Sequence, residues 1–284
     1  MTRRFAQVDV FSSVPVAGNP VAVVIDGDGV TDDQMAAFAR WTNLSETTFL
    51  LSPTDPDADY RLRIFTPAGE LPFAGHPTLG SAHAWLEAGG IPKGDRIVQE
   101  CGVGLVPIQR GSGDADARLA FAAPPLRRSG PVDDEIVRDV VAALGIGPEE
   151  VVGAEWVVNG PDWMALMLSS GRRVIDVEPD MAALGTHEVG LIGPHPDGLP
   201  GEPDVVFEVR AFAPGFGIAE DPVTGSLNAG IATWLRRDGL APASYVTAQG
   251  TALGRAGRVH VTDDGTDIWV GGAATTVIAG TVEL

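Results

Sequence analysis

Apolar and polar residues alternate at the start of the chain. "FAQVDVF" (residues 5–11) exchanges them every second position, and "VPVAGNPVAVVI" follows with a turn signal inside a second apolar run. The pair predicts strand, turn, strand. The period then changes. "TDDQMAAFARW" sets Thr31 and Gln34 three residues apart, a capping-box pattern that opens a short helix. "ETTFLLS" and "YRLRIFT" return to strand, with Tyr60, Leu62 and Ile64 on one face. "HPTLGSAHAWLEAGG" predicts a helix entered near Pro77 and stopped by Gly89 and Gly90. Further strands are expected around "RIVQECGVGLVPIQR" and in "ARLAFAA". The Pro/Gly-rich "PPLRRSGPVDD" (124–134) is the expected linker, dividing the chain into domains 1–123 and 135–284. Beyond it, "DEIVRDVVAALG" and "SLNAGIATWLRRDG" are helical, and "WMALMLSS" and "DVVFEVRAF" are strands. The tail from Arg258 reads as a meander with Asp264-Gly265 at a hairpin turn.

A repeat emerges from this pattern. "RIFTPAGELPFAGHPTLGSAHAWL" resembles "RAFAPGFGIAEDPVTGSLNAGIATWL", with Arg63, Phe65 and Pro67 matching Arg210, Phe212 and Pro214. "HPTLGS" (76–81) then aligns with "DPVTGS" (221–226), and each helix carries a tryptophan, Trp85 or Trp234. Strand, loop and helix recur in the same order, which outweighs chance likeness of two Gly/Pro-rich loops. Two related α+β domains with pseudo-twofold symmetry are implied, their equivalent helices pointing N-termini at a shared cleft suited to a carboxylate.

In that alignment Asp221-Pro222 opens a helix as N-cap and N1, and its counterpart is His76 before Pro77. Histidine is a poor cap, so the imidazole and the carboxylate read as a hydrogen-bonding pair for a substrate. Gly75, Gly80 and Gly225 allow close approach of a ligand, and Thr224 and Ser226 offer hydroxyls. Ser226 lacks the G-x-S-x-G setting of a nucleophile. Glu46 in "NLSETTFLL" reads, on composition alone, as a solvated strand-edge carboxylate, and Glu220 has no role.

Composition narrows the function classes. The 284 residues are 44% hydrophobic and 20% charged, as in an ordinary globular protein, with 36 glycines and 22 prolines for many tight turns. The net charge of −19 repels phosphate backbones and anionic lipids, so neither nucleic acid nor membrane is an expected partner. Cys101 is the sole cysteine, which excludes an internal disulfide and a cysteine zinc site, and it reads as a small buried hydrophobe. His83 follows His76 by two helical turns without a third ligand, and His187, His195 and His260 read as surface residues. No GxxxxGK[ST], GxGxxG or HExxH occurs, so no cofactor and no metal are expected. The opening "MTRRFAQVDVFSSVP" has no apolar run behind its arginines, which predicts a cytoplasmic protein.

Five ordered blocks, "VDVFSSVPVAGNPVAVV", "NLSETTFLL", "RIFTPAGELPFAGHPTLGSA", "GIAEDPVTGSLNAGIA" and "AQGTALGR", resemble the PhzF-like (phenazine-biosynthesis isomerase) family. The resemblance implies the diaminopimelate-epimerase-like α+β fold: two pseudo-symmetric domains, each a strand barrel around a central helix. It assigns Glu46 as the acid/base group and His76, Asp221, Gly225 and Ser226 to the site, with Glu46, His76 and Asp221 as the catalytic candidates and Gly225 and Ser226, together with Gly75 from the residue pattern, as substrate-binding ones. It implies a homodimer and a cofactor-free isomerase acting on a small, cyclic amino or hydroxy carboxylic acid. Epimerases of this fold use a cysteine at each helix N-terminus, and this chain has none there. An epimerase or racemase of another amino acid, and a non-catalytic carboxylate-binding protein, are the alternatives.

Overall fold

Strand pairing, more than helix packing, organises the computed structural model, which describes residues 1–111 and 118–284. The elements in order are β1 (Thr2–Val10), β2 (Asn19–Val24), α1 (Asp32–Thr42), β3 (Thr47–Leu51), β4 (Tyr60–Phe65), β5 (Glu70–Leu71), α2 (Gly75–Glu87), β6 (Ile97–Cys101), β7 (Gly104–Arg110) and β8 (Leu119–Ala122). Then come β9 (Arg128–Pro131), α3 (Asp134–Ala143), β10 (Val151–Val158), β11 (Met164–Leu168), α4 (Gly171–Ile175), α5 (Met181–Leu184), β12 (Val189–Pro194), β13 (Val205–Ala213), β14 (Ile218–Asp221) and α6 (Gly225–Arg237). The chain closes with β15 (Ser244–Gln249), β16 (Gly257–Asp263), β17 (Ile268–Gly272) and β18 (Ala274–Glu283). The strand expected over 117–123 is β8, and position 117 lies outside the described residues. The capping box at Thr31 and Gln34 is formed.

The chain divides into two units, residues 1–122 with 271–284, and residues 123–270. The mid-chain division falls within one residue of the expected end at 123, while residues 271–284 join the first unit. The segment 124–134 contains β9, which pairs with β10, so it is part of a sheet rather than a free linker. The C-terminal strand β18 runs antiparallel to β1 along its whole length, from Thr2 opposite Glu283 to Val10 opposite Ala274. Those ladder hydrogen bonds return the last residues to the first unit.

Within the first unit, β1 pairs antiparallel with β2, β2 parallel with β3, β3 antiparallel with β4, and β4 parallel with β6 and antiparallel with β5. The second unit repeats every step: β10 antiparallel with β11, β11 parallel with β12, β12 antiparallel with β13, and β13 parallel with β15 and antiparallel with β14. Each parallel pair requires a crossover, supplied by α1 or α2 in the first unit and by α4 with α5 or α6 in the second. The helices α2 and α6 are the wrapped ones. In α2, Gly75 through Ala82 are all buried, and the helix touches β1, β2, β3, β4, β8 and β18. In α6, Gly225 through Ala232 are all buried. A helix apolar or small on every side belongs inside its sheet rather than on it.

The pairing also corrects the register of the repeat. Both helices start one residue after an uncharged N-cap, Ala74 or Thr224, and span 13 residues. "ELPFAGHPTLG" (70–80) therefore superposes on "EDPVTGSLNAG" (220–230), matching Glu70 with Glu220, Gly75 with Gly225, Gly80 with Gly230 and His76 with Ser226. The alignment of "HPTLGS" on "DPVTGS" followed a recurring Gly-Ser pair that sits at different helical positions. Gly80 and Gly230 show why glycine recurs: a Cβ would lie 2.4 Å from Val21 Cγ1 in one case and 2.4 Å from the Val157 carbonyl oxygen in the other. Substituting Gly230→Ala meets backbone that cannot rotate away. The expected result, read by urea unfolding, is a net loss of about 1–3 kcal/mol despite alanine's better helix propensity. Gly80→Ala meets valine side chains and is expected to cost less.

The residue left without a role, Glu220, has a clear one. Its carboxylate takes a two-pronged hydrogen bond from Arg210 (Nε–Oε1 2.9 Å, Nη2–Oε2 2.8 Å). Arg210 Nη1 also donates to the carbonyl oxygens of Val174, Ile175 and Val177, tying β13 to the end of α4. The first unit repeats the device. Arg63 clasps Glu70 at 2.7 and 2.6 Å and reaches Asp32 at the start of α1.

Candidate active site

Glu46 sits in the turn entering β3, where its carbonyl faces the Ala22 N–H of β2 at 3.5 Å. The side chain is only 12% exposed, and its Oε2 lies 3.5 Å from His76 Nε2. That distance suits an ion pair but not a well-made hydrogen bond, and Oε2 is a buried atom without a hydrogen-bond partner in the protein. Burial pushes the Glu46 carboxyl up to about 7, and the Ser45 hydroxyl partly opposes it. A strand-entry glutamate read from composition as solvated is thus enclosed and poised near neutrality.

His76 is the second residue of α2, 3% exposed. Its Nδ1 faces the Asn19 side-chain amide at 3.4 Å, and Ser45 Oγ lies 3.5 Å from Asn19 Oδ1. An amide NH2 directed at Nδ1 places the proton of a neutral ring on Nε2, the nitrogen turned to Glu46. His76 is not a capping residue as the alignment suggested; the N-cap is Ala74, which has no side chain to cap with. Gly75 is the first helical residue, so its N–H lies outside the intrahelical ladder.

Asp221 also differs from the expected cap. It is the last residue of β14, 8% exposed, and α6 begins four residues later. The N-cap Thr224 has the right side chain for capping, yet its Oγ1 donates to Asp221 Oδ2 at 2.6 Å and makes no cap bond. Gln249 fixes this corner: Nε2 donates to Thr224 Oγ1 (2.9 Å), and Oε1 accepts from Thr224 N–H (3.0 Å) and Asn228 Nδ2 (2.8 Å). The repeat supplies a simpler version in the first unit, with Gln99 Nε2 donating to Thr78 Oγ1 at 3.0 Å. Ser226 is held as well, its Oγ accepting from Trp163 Nε1 (3.1 Å) and its carbonyl from Asn159 Nδ2 (3.0 Å). Both long central helices therefore begin without a side-chain cap, on Gly75 and Gly225, inside rigid polar surroundings.

Sequence reasoning misplaced His195. It is not a surface residue: its Nε2 lies 3.2 Å from Oε2 of Glu208, whose side chain is fully buried.

An α+β chain made of two repeats, each with strands wrapped about a buried, uncapped helix, has the architecture of the epimerase-like isomerases. Solved structures share it throughout. A PhzF-family protein of Enterococcus faecalis aligns over 100% of both chains with a TM-score of 0.79 at 24% identity. A structure titled as a predicted epimerase from Pseudomonas aeruginosa aligns over 99% of both at 0.80 and 25%. The chain belongs to the phenazine biosynthesis-like protein family, which matches residues 8–280. Antisense-enhancing sequence 1 of Schizosaccharomyces pombe is 37% identical over 290 residues, covering 97% of each chain. The trans-2,3-dihydro-3-hydroxyanthranilate isomerase of Pseudomonas aeruginosa is 33% identical over 272 residues, covering 92% of this chain and 91% of the relative. The protein is an isomerase of this family.

Proposed function

We propose that the reaction is a proton shift within a small carboxylic acid, with Glu46 as the acid/base group. The observation that carries this reading is the enclosed Glu46 carboxyl, held near 7 and facing His76. Ionised Glu46 takes a proton from a substrate carbon, and the electron pair left behind moves into an adjacent conjugated system. The carboxylic acid so formed returns a proton to a different carbon, leaving enzyme and substrate with their original proton counts. A carboxyl with a pKa near the working pH serves both steps, because neither form is strongly favoured. His76, with Nε2 toward Glu46, supports the ionised form and donates to a polar substituent. Gly75 offers an N–H at the start of α2, Gly225 and Ser226 offer N–H and hydroxyl groups at the start of α6, each suited to a substrate carboxylate, and Asp221 accepts from an amino or hydroxyl substituent.

The 33% relative named for trans-2,3-dihydro-3-hydroxyanthranilate makes that compound the first substrate to test. Purified protein is incubated with it, and in parallel with a panel of cyclic and acyclic amino and hydroxy acids. The expected result is isomerisation of at least one member without added cofactor. If every member binds, raising Tm, and none is converted, the acid/base reading fails. A two-thiol racemase is disfavoured because the equivalent helix positions carry His76 and Ser226.

The reading fixes a pH dependence. The base form of Glu46 is the ionised one, so kcat/KM is expected to rise as pH increases through about 7. A profile flat from pH 5 to 9 contradicts it.

A further inference from the structure

Asn19 reaches both sides of the Glu46–His76 pair, and every group involved belongs to residues 1–122. It is the first residue of β2, opposite Val10 on β1, and only 1% exposed. The turn before it is pinned. Asp9 Oδ2, buried on β1, accepts from the Ala17 and Gly18 N–H groups at 3.0 and 2.9 Å. A Cβ at Gly18 would run into the Val10 carbonyl oxygen, so the chain closes against β1 there only as glycine. The backbone that presents Asn19 is therefore held in one place.

Its side chain closes a circuit of four groups. Nδ2 faces His76 Nδ1 at 3.4 Å, Oδ1 accepts from the Ser45 hydroxyl at 3.5 Å, and that hydroxyl also serves Glu46. His76 Nε2, 3.5 Å from Glu46 Oε2, completes it. All three distances are long for hydrogen bonds, as is common at catalytic contacts before substrate tightens them. The chemistry of each group sets the direction. An amide NH2 only donates, so Nδ1 presents its lone pair and the one ring proton sits on Nε2. A second ring proton would point at the NH2 and bury a charge. The consequence falls on Glu46, because an imidazolium at this distance would pull its carboxyl back toward the ordinary carboxylate range. Ser45 has one hydroxyl proton to give. Donated to ionised Glu46 it favours the base form; once Glu46 holds the substrate's proton, the hydroxyl turns to Asn19 Oδ1.

We propose that Asn19, with Ser45, is a positioning residue of this isomerase, holding His76 as a neutral ring whose proton sits on Nε2 and faces Glu46. The proposal rests on the reading of Glu46 as the acid/base group. It adds no second base and no further proton: Glu46 alone exchanges with carbon, and Asn19 fixes the state of the ring beside it.

The test uses two conservative variants of the full chain. In Asn19→Asp the shape persists but the NH2 becomes an acceptor, so Nδ1 gains a proton and the ring becomes an imidazolium. Nitrogen NMR of protein labelled in its histidine rings, with His76 assigned against His76→Gln, reads this without substrate. At neutral pH wild type is expected to carry a proton on Nε2 alone, and Asn19→Asp on both nitrogens. On the substrate that the panel above identifies, Asn19→Asp is expected to lower kcat at least about 10-fold, with KM changed less than about threefold. It should also move the rising limb of kcat/KM to lower pH, because the imidazolium favours ionised Glu46. Ser45→Ala is expected to move the same limb to higher pH, because the hydroxyl that favours ionised Glu46 is gone. General damage does not displace one ionisation in opposite directions. A wild-type ring already protonated on Nδ1, or the same ring state in both proteins, overturns the proposal. So does a fall in kcat with the limb unmoved in both variants. An active Glu46→Gln sinks the reading beneath it, whereas an inactive Glu46→Gln beside Asn19→Asp at wild-type turnover sinks this inference alone.

Discussion

Replacing Glu46 with glutamine is expected to reduce kcat by about 100- to 10,000-fold, the span associated with loss of one positioned acid/base group. The substitution keeps shape and removes only the ionisation, so the fold should persist. It is also expected to stabilise the protein at high pH, which separates it from ordinary damage. The folded-state pKa of about 7 lies above the ordinary value of 4.5. Between those values the folded chain binds more protons than the unfolded one, so stability falls as pH rises through that window. The full effect is about 3 kcal/mol, complete above about pH 8 and absent below about pH 4. Glu46→Gln should therefore match wild type in Tm at pH 4 and exceed it at pH 8, with activity lost. A variant that is inactive and less stable at both pH values would mean Glu46 is structural.

The second large effect concerns Glu220. Its side chain and that of Arg210 are 9% and 6% exposed, so the pair is shielded from water. Glu220→Gln leaves a buried guanidinium with only carbonyl partners, and breaking such a pair costs about 3–5 kcal/mol. For a unit of this size that corresponds to a drop in Tm of roughly 10 °C or more. The repeat supplies the control. Glu70 is 41% exposed, and Arg63 keeps Asp32 as a second partner, so Glu70→Gln should cost about 1 kcal/mol or less. Equal losses for the two variants would contradict the role of burial in this comparison. Adding Arg210→Met to Glu220→Gln should recover much of the loss, since it removes the stranded charge.

Local signals in the sequence were legible where one element settles its own form. The capping box at Thr31 and the alternation of Tyr60, Leu62 and Ile64 are of this kind, since neighbours three or two residues apart decide them. The strands β10 and β12 escaped notice: "VVGAEWVV" and "VGLIGP" carry interior glycines and no clean alternation, and pairing on both sides holds them in place. The return of β18 to β1 was not legible either, because no residue near the C-terminus announces a partner at the far end of the chain. The repeat was visible, but its register was not. A shared Gly-Ser dipeptide competed with the true match of Glu70, Pro72, Gly75 and Gly80 to Glu220, Pro222, Gly225 and Gly230. That error hid the equivalence of His76 with Ser226. At the site, burial made the difference. Glu46 looks like any strand-edge glutamate in sequence, and its importance came from family resemblance until its enclosure was seen.

The most direct test of the central claim follows the proton itself. Wild type and Glu46→Gln are incubated in D2O with the converted substrate, and deuterium in product and recovered substrate is read by mass spectrometry. If Glu46 moves the proton, wild type places solvent deuterium at the isomerised carbon and Glu46→Gln places none. Product formed, or deuterium incorporated, by the variant at the wild-type rate would contradict the account.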